Sequence, residues 1–218
     1  MTDVATPSPW EQAYLRFETP EQEQRKFLKR YEQFKARTWS PGSVIVELCS
    51  GRGGGLVALE RLGFRNVIGV DLSPALVACY EGPSACNVGD VRALPIATGT
   101  VDVVTVHGGL HHLIDFPQDL DQAVSEVHRV LKRDGRFVFV EPWLTPFLRA
   151  AHAACNQQVL RKAWGKLDAL ATMTDYERPT YEQWLHHPDE VRASITAKFE
   201  PEWQSIRLGK WNFLGRPR

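Results

Sequence analysis

Val44-Ile45-Val46-Glu47-Leu48-Cys49-Ser50-Gly51-Arg52-Gly53-Gly54-Gly55 is a branched, apolar run that breaks into a glycine-rich turn, and Leu56 to Leu62 after it has helical spacing. Glycines at 51, 53 and 55 let the backbone turn sharply and let a ligand lie against main chain, where a Cβ would clash. Amide groups at the start of the next helix then face that ligand. One unit downstream, Val67-Ile68-Gly69-Val70-Asp71 forms a second apolar run that ends on an acid. At that place Asp71 can accept hydrogen bonds from both hydroxyls of a ribose lying across the sheet edge. It can also cap the helix that Ser73-Pro74 opens.

The same texture continues outward. Val101 to Val106 and Arg136 to Val140 read as strands buried on both faces, and Pro74 to Tyr80 and Leu120 to Leu131 read as helices. The last of these carries Leu120, Val124, Val127 and Leu131 on one face, with Gly135 expected to end it in the left-handed conformation. Strand and helix in alternation predict a doubly wound α/β sheet with right-handed crossovers. Upstream, Thr19-Pro20 opens a helix with Phe27, Leu28, Tyr31 and Phe34 at helical spacing. Its Lys26, Lys29, Arg30, Lys35 and Arg37 interleave with Glu21, Glu23 and Glu32, so the charges read as a solvated face. After Pro142 the chain is helical and aromatic, and residues 199–215 read as two strands joined by a tight turn at Gly209. One domain over residues 1–218 is expected: a helical cap (1–41), a core (42–141), a second helical cap (142–195) and a closing strand pair (196–218).

Composition narrows the function. The chain has 218 residues, 43% of them hydrophobic, which is enough for a large core. Lys+Arg and Asp+Glu each number 26, so the basic surplus expected of a nucleic-acid binder is missing. No apolar run approaches the roughly 18 residues that span a bilayer. Met1-Thr2-Asp3 opens no signal segment, and Cys49, Cys79, Cys86 and Cys155 lack metal or redox spacing. A cytoplasmic protein with reduced thiols and a small-molecule partner is expected, as a monomer or homodimer.

Two features separate the candidate ligands. A dinucleotide fingerprint wants glycine where Leu56 stands, and Glu47 puts an acid beside the turn, which suits a cationic ligand. Val88-Gly89-Asp90-Val91 then offers a further acid after a short third strand, placed to accept from an adenine amino group. Together these describe S-adenosylmethionine better than a nicotinamide dinucleotide.

Residues 44–141 resemble the class I S-adenosylmethionine-dependent methyltransferase family, in its small-molecule, quinone-biosynthesis-like branch. The likeness is carried by Val46 to Gly53, Gly69-Val70-Asp71-Leu72-Ser73-Pro74 and Gly89-Asp90-Val91-Arg92-Ala93-Leu94-Pro95. It continues through Val101-Asp102-Val103-Val104, Leu110-His111-His112-Leu113 and Glu126 to Pro142. The resemblance implies a Rossmann-like, mostly parallel seven-stranded sheet with a reversed final strand. It implies that Glu47, Cys49, Gly51 and Gly53 approach the methionine part, Asp71 with Leu72 the ribose, and Asp90 with Val91 the adenine. Cys49 stands where the family usually has glycine, so a slightly altered turn is expected.

Methyl transfer is an in-line displacement, so alignment and exclusion of water matter most, and a base is needed only if the acceptor must lose a proton. His107, which also borders the cofactor, and His111 and Glu141 are the candidate bases, since open α/β sheets bind ligands at the carboxyl ends of their strands. In the resembled family a histidine pair such as His111-His112 is also a structural helix start. Consecutive helical residues diverge by about 100 degrees, so only one of the two is expected to face a substrate. A cation shared by His111, His112 and Asp115 is geometrically poor, and no metal is expected. His111, Trp143, Tyr176 and Tyr181 are the candidate acceptor contacts, and Tyr14 and Phe17 can close the pocket from the N-terminal side. The competing readings are a non-catalytic cofactor-binding protein and a nicotinamide oxidoreductase.

Overall fold

The computed structural model describes residues 7–218. Its strands are β1 (Val44–Leu48), β2 (Asn66–Asp71), β3 (Ala85–Val88), β4 (Val101–His107), β5 (Leu131–Pro142), β6 (Phe199–Arg207) and β7 (Lys210–Pro217). They form one sheet in the order β3-β2-β1-β4-β5-β7-β6. β1 to β5 pair in parallel, while β7 runs antiparallel to both β5 and β6. The chain winds outward from β1 to β3, then crosses back to β4 on the other side of β1. Strand order therefore reverses between β1 and β4, and the crevice beyond their carboxyl ends is where such sheets hold ligands.

Side chains alternate along each strand, and the two faces build separate cores. Ile45, Val67, Val103, Val138 and Val140 pack against α2 (Pro20–Gln33) and α3 (Gly54–Arg61) through Phe27, Tyr31, Leu56 and Leu59. Val46, Leu48, Val104, Phe137, Phe139, Trp211 and Phe213 face α5 (Gln118–Val130) and α10 (Pro188–Lys198) through Leu120, Val124, Val191 and Ile195. Each fully buried side chain of this size is worth about 1.5–3 kcal/mol. α1 (Pro9–Phe17) lies ahead of α2, and both are opened by capping boxes, at Ser8 with Glu11 and at Thr19 with Gln22. One short turn, α4 (Pro74–Val77), follows β2, and α6 (Pro146–Cys155), α7 (Gln158–Ala163), α8 (Gly165–Tyr176) and α9 (Arg178–His186) lie between β5 and α10.

Three local expectations change. Helix α5 stops at Val130, because Leu131 already pairs with Val101 in the sheet. Gly135 is needed for space, not for a left-handed turn: a Cβ there would press on the carbonyls of Lys132 and Asp102. The segment after Asp71 yields only the single turn of α4 instead of a helix to Tyr80. The tight turn between β6 and β7 forms as the spacing predicts, with Leu208 at φ 48° and Gly209 at φ 74°, the primed geometry that suits a two-residue hairpin.

Candidate active site

Alternation along β1 and β4 puts Glu47, Thr105 and His107 on the face covered by α2. Glu47 is 1% exposed, beneath the glycine turn. Tyr31 donates its hydroxyl to Glu47 Oε1 at 3.3 Å, while Oε2 is buried with no partner. Burial pushes this carboxyl up to about 8, the Tyr31 hydrogen bond opposing and the charges of Glu23 and Asp71 adding to the rise. The turn above it holds Cys49, Gly51 and Gly53 at φ 53°, 55° and 81°. Side chains added at Gly51, Gly53 and Gly55 would collide with Tyr14, Tyr80 and the Glu47 carboxylate. Cys49 holds a left-handed backbone that suits glycine, at a strain cost of about 1–3 kcal/mol, and its sulfur lies where a Cβ on Gly109 would sit.

Asp71, 8% exposed, is a clasp between the turn and the end of β2. Its Oδ2 accepts from the Gly51 amide and its Oδ1 from the Ser73 amide, both at 2.8 Å. Capping of α4 falls to Ser73, whose hydroxyl accepts from the Leu76 amide. Burial raises the Asp71 pKa, against the pull of those two amides. Asp71→Ala should cost about 1–3 kcal/mol of stability through the two unsatisfied amides, measured by urea unfolding. A buried carboxylate oxygen lacking a donor, under a turn whose glycines leave the main chain bare, is completed by an ammonium group. The residues present thus fit the methionine end of S-adenosylmethionine. Past the ends of β2 and β3, Val91 is buried at 9% exposure and Leu72 is open at 69%. Asp90 is gripped by Arg92 at 2.7 Å, and Arg92 also holds Asp119.

Beyond β4 and β5 the chain gathers a second polar group. Glu141 is 1% exposed, on the same face as Phe137 and Phe139. Its Oε1 accepts from the amides of Gly109 and Leu110 at 2.9 and 3.0 Å, and Oε2 lies 2.7 Å from His111 Nδ1. His111 Nε2 points to Glu177 Oε1 at 3.6 Å, while Glu177 Oε2 takes His112 Nδ1 at 3.1 Å and the Trp10 indole N–H at 2.7 Å. Burial alone would lower the His111 pKa, but the hydrogen bond to Glu141 and the nearby carboxylate of Glu177 outweigh it and push it up to about 10. His111, a candidate base, is thus paired with Glu141 through Nδ1 and faces Glu177 through Nε2. The pair does not open the α-helix expected of it. Leu110–His112 is a 3-10 turn, and both rings, 4.3 Å apart, reach Glu177.

His107 lies edge-on to Phe27 and Tyr31, with both ring nitrogens buried and unpartnered. Burial holds its pKa well below the ordinary value, so the ring stays neutral. Tyr181 reaches the group, 5.5 Å edge-on from His111, and its hydroxyl pairs with His152 Nε2 at 3.2 Å. Behind it His152, Cys155, Tyr181 and Leu185 line a cavity of about 230 Å³. Trp143 does not join: it packs on Trp211 in the core under Arg192. Tyr176 is 58% exposed at the end of α8, and Phe17 stacks under Lys166, leaving Tyr14 as the N-terminal residue over the turn. Glu177 and Trp10 were not singled out from sequence, and no local pattern marks them. A wide groove lined by Phe34, Trp39, Asp102, Arg136 and Trp203 lies at the opposite, amino-terminal ends of β4 and β5.

The chain belongs to the class I S-adenosylmethionine-dependent methyltransferase family, as its likeness to known members shows. Residues 46–139 match a family described as a methyltransferase domain. The chain is 31% identical over 170 residues to a demethylmenaquinone methyltransferase of Mycobacterium marinum, covering 77% of this chain and 70% of that one. It is 37% identical over 105 residues to an uncharacterized methyltransferase of Synechocystis, 47% of this chain and 48% of that protein. The chain spans about half the length of most of the curated relatives it matches. The PH0226 protein of Pyrococcus horikoshii shares the fold at a TM-score of 0.68 with 18% identity, over 98% of this chain and 100% of that one. Among the described residues no helix is long and apolar enough to cross a membrane.

Proposed function

We propose that the protein transfers the methyl group of S-adenosylmethionine to an oxygen or nitrogen of a small-molecule acceptor, leaving S-adenosylhomocysteine. The observation that carries this reading is the donor-less carboxylate oxygen of Glu47 beneath the glycine turn. S-adenosylmethionine supplies a methyl carbon activated by positive sulfur. Glu47 receives its ammonium group, Gly51 and Gly53 admit its backbone-like end, and Asp71 accepts from the ribose. Leu72, Asp90 and Val91 border the adenine. Tyr14 and Trp10 of α1 shut water out from above, and Tyr181 with the cavity behind it receives the acceptor. His107 borders the methionine end as a neutral ring, because burial disfavours its protonated form, and the acceptor's proton leaves to water. Four relatives are named demethylmenaquinone methyltransferases, and a ring-bearing acceptor suits the aromatic lining.

The test is calorimetry with S-adenosylmethionine and S-adenosylhomocysteine between pH 6 and 9. Unliganded, Glu47 is protonated below about 8, and recognition of an ammonium group needs its carboxylate form. Affinity should therefore rise with pH by up to about tenfold per unit towards a maximum near 8 and fall again where the ligand's own ammonium group loses its proton, with close to one proton released per ligand at pH 7. Glu47→Gln should flatten that slope and weaken binding about ten- to hundredfold at pH 8. No binding at high micromolar concentration removes the reading, and pH-independent binding removes Glu47 from it.

A further inference from the structure

His111, His112 and Glu177 come from two segments remote in sequence, yet their donor atoms lie within 4.8 Å of one another. His111 Nε2 and Glu177 Oε1 are 3.6 Å apart, too far for a hydrogen bond. That spacing is near the edge of a tetrahedron whose centre binds each atom at about 2.0–2.1 Å. The set is also supported from behind. Glu141 holds His111 Nδ1 at 2.7 Å, and its other oxygen is fixed by the Gly109 and Leu110 amides, so Nε2 is the nitrogen left to bind. A carboxylate on the far nitrogen is the usual companion of a metal-bound histidine. Glu177 is steadied in turn by the Trp10 indole, and its side chain is only 11% exposed. His112, at 33%, leaves one side of the group open.

We propose that His111, His112 and Glu177 bind one divalent transition-metal cation of the zinc, iron or manganese class. Its open position takes a hydroxyl oxygen of the methyl acceptor. Two imidazoles and one carboxylate with a free position form a catalytic donor set. The cation displaces the proton from His111 Nε2 and leaves Nδ1–H directed at Glu141. An acceptor hydroxyl bound beside it releases its proton to water more readily. The oxygen lone pair then forms the bond to the methyl carbon, the carbon–sulfur bond breaks, and its electron pair stays on the now neutral sulfur. The role of the open position rests on the methyltransferase reading, whereas the cation site stands without it.

Cobalt(II) is the probe, titrated into the chelator-treated 218-residue chain and followed by visible absorption and by calorimetry. One equivalent should bind, with the intense bands of four- or five-coordinate cobalt. His112→Asn and Glu177→Gln should each weaken binding at least about tenfold, and exposed His186→Asn should leave it unchanged. His112 is exposed enough for its variant to fold, which circular dichroism checks. Substoichiometric binding to the parent protein, or equal binding by all three variants, overturns the proposal. S-adenosylhomocysteine is titrated into the same metal-free protein. If it binds and cobalt does not, the metal site alone is lost; if neither binds, the methyltransferase reading goes with it.

Discussion

Glu141→Ala should lower folding stability by about 3–5 kcal/mol, a fall in Tm of roughly 6–20 °C for a chain of this size. The carboxylate is 1% exposed and serves three groups at once: the Gly109 and Leu110 amides and His111 Nδ1. Removing it strands two buried amides and leaves the 7% exposed His111 without its closest counter-charge. Burial alone would raise the Glu141 pKa, yet the imidazole and the amides hold it below the ordinary value. Native structure therefore favours the charged carboxylate, and its loss costs more than a surface acid would. Glu141→Gln keeps the shape and an acceptor for the amides, so its cost should be smaller, about 1–3 kcal/mol. Urea unfolding of both variants measures this. Equal, sub-kilocalorie effects would mean that the carboxylate does not organise the end of β4.

Whatever chemistry is local in sequence was legible. The glycine turn, Glu47 and Asp71 sit within strand-turn-helix units whose backbone dictates where their side chains go, and the carboxyl-end rule for such sheets picked out His107 at the end of β4. The order of the sheet and its reversed last strand came from the family resemblance, since pairing partners remote in sequence leave no periodic trace. Glu23 was misplaced among solvated charges although a signal existed. It lies four residues before Phe27 and eight before Tyr31, on the apolar stripe of α2, and it is 2% exposed. His112 was read with α-helical spacing where the chain forms a 3-10 turn. Glu177 had no signal at all. It stands in a charged run between α8 and α9, and only the packing of that junction over the 3-10 turn carries it to the histidines. Aromatic residues mislead in the same region, since Trp143 and Tyr181 look alike in sequence and are separated only by the Trp211 side chain that Trp143 meets in the core.

Glu23→Ala should unlock the N-terminal helices from the glycine turn without unfolding the sheet. Arg52, inside the turn, gives its Nε to Glu23 Oε2 at 2.7 Å and its two remaining nitrogens to the carbonyls of Leu15 and Glu18. Glu23 Oε1 takes the Tyr14 hydroxyl at 2.6 Å. The pair is deeply buried, with side-chain exposures of 10% for Arg52 and 2% for Glu23. Breaking such a pair by deleting one end costs about 3–5 kcal/mol, because the other charge stays buried alone. Here that cost has an outlet. α1 and the first turn of α2 can lift away and hydrate Arg52, so the loss is confined to the cap. Amide exchange in α1 and across Gly51–Gly55 should quicken by about 10²–10⁴-fold, while β4 and β5 keep their protection. Replacing both ends, Glu23→Leu with Arg52→Leu, should recover most of it, since a matched apolar pair leaves no buried charge. Exchange that quickens equally in α1 and in the central strands would show that the cap has no stability of its own to lose. Retained protection in α1 would show that Trp10 and Tyr14 hold it down without the ion pair.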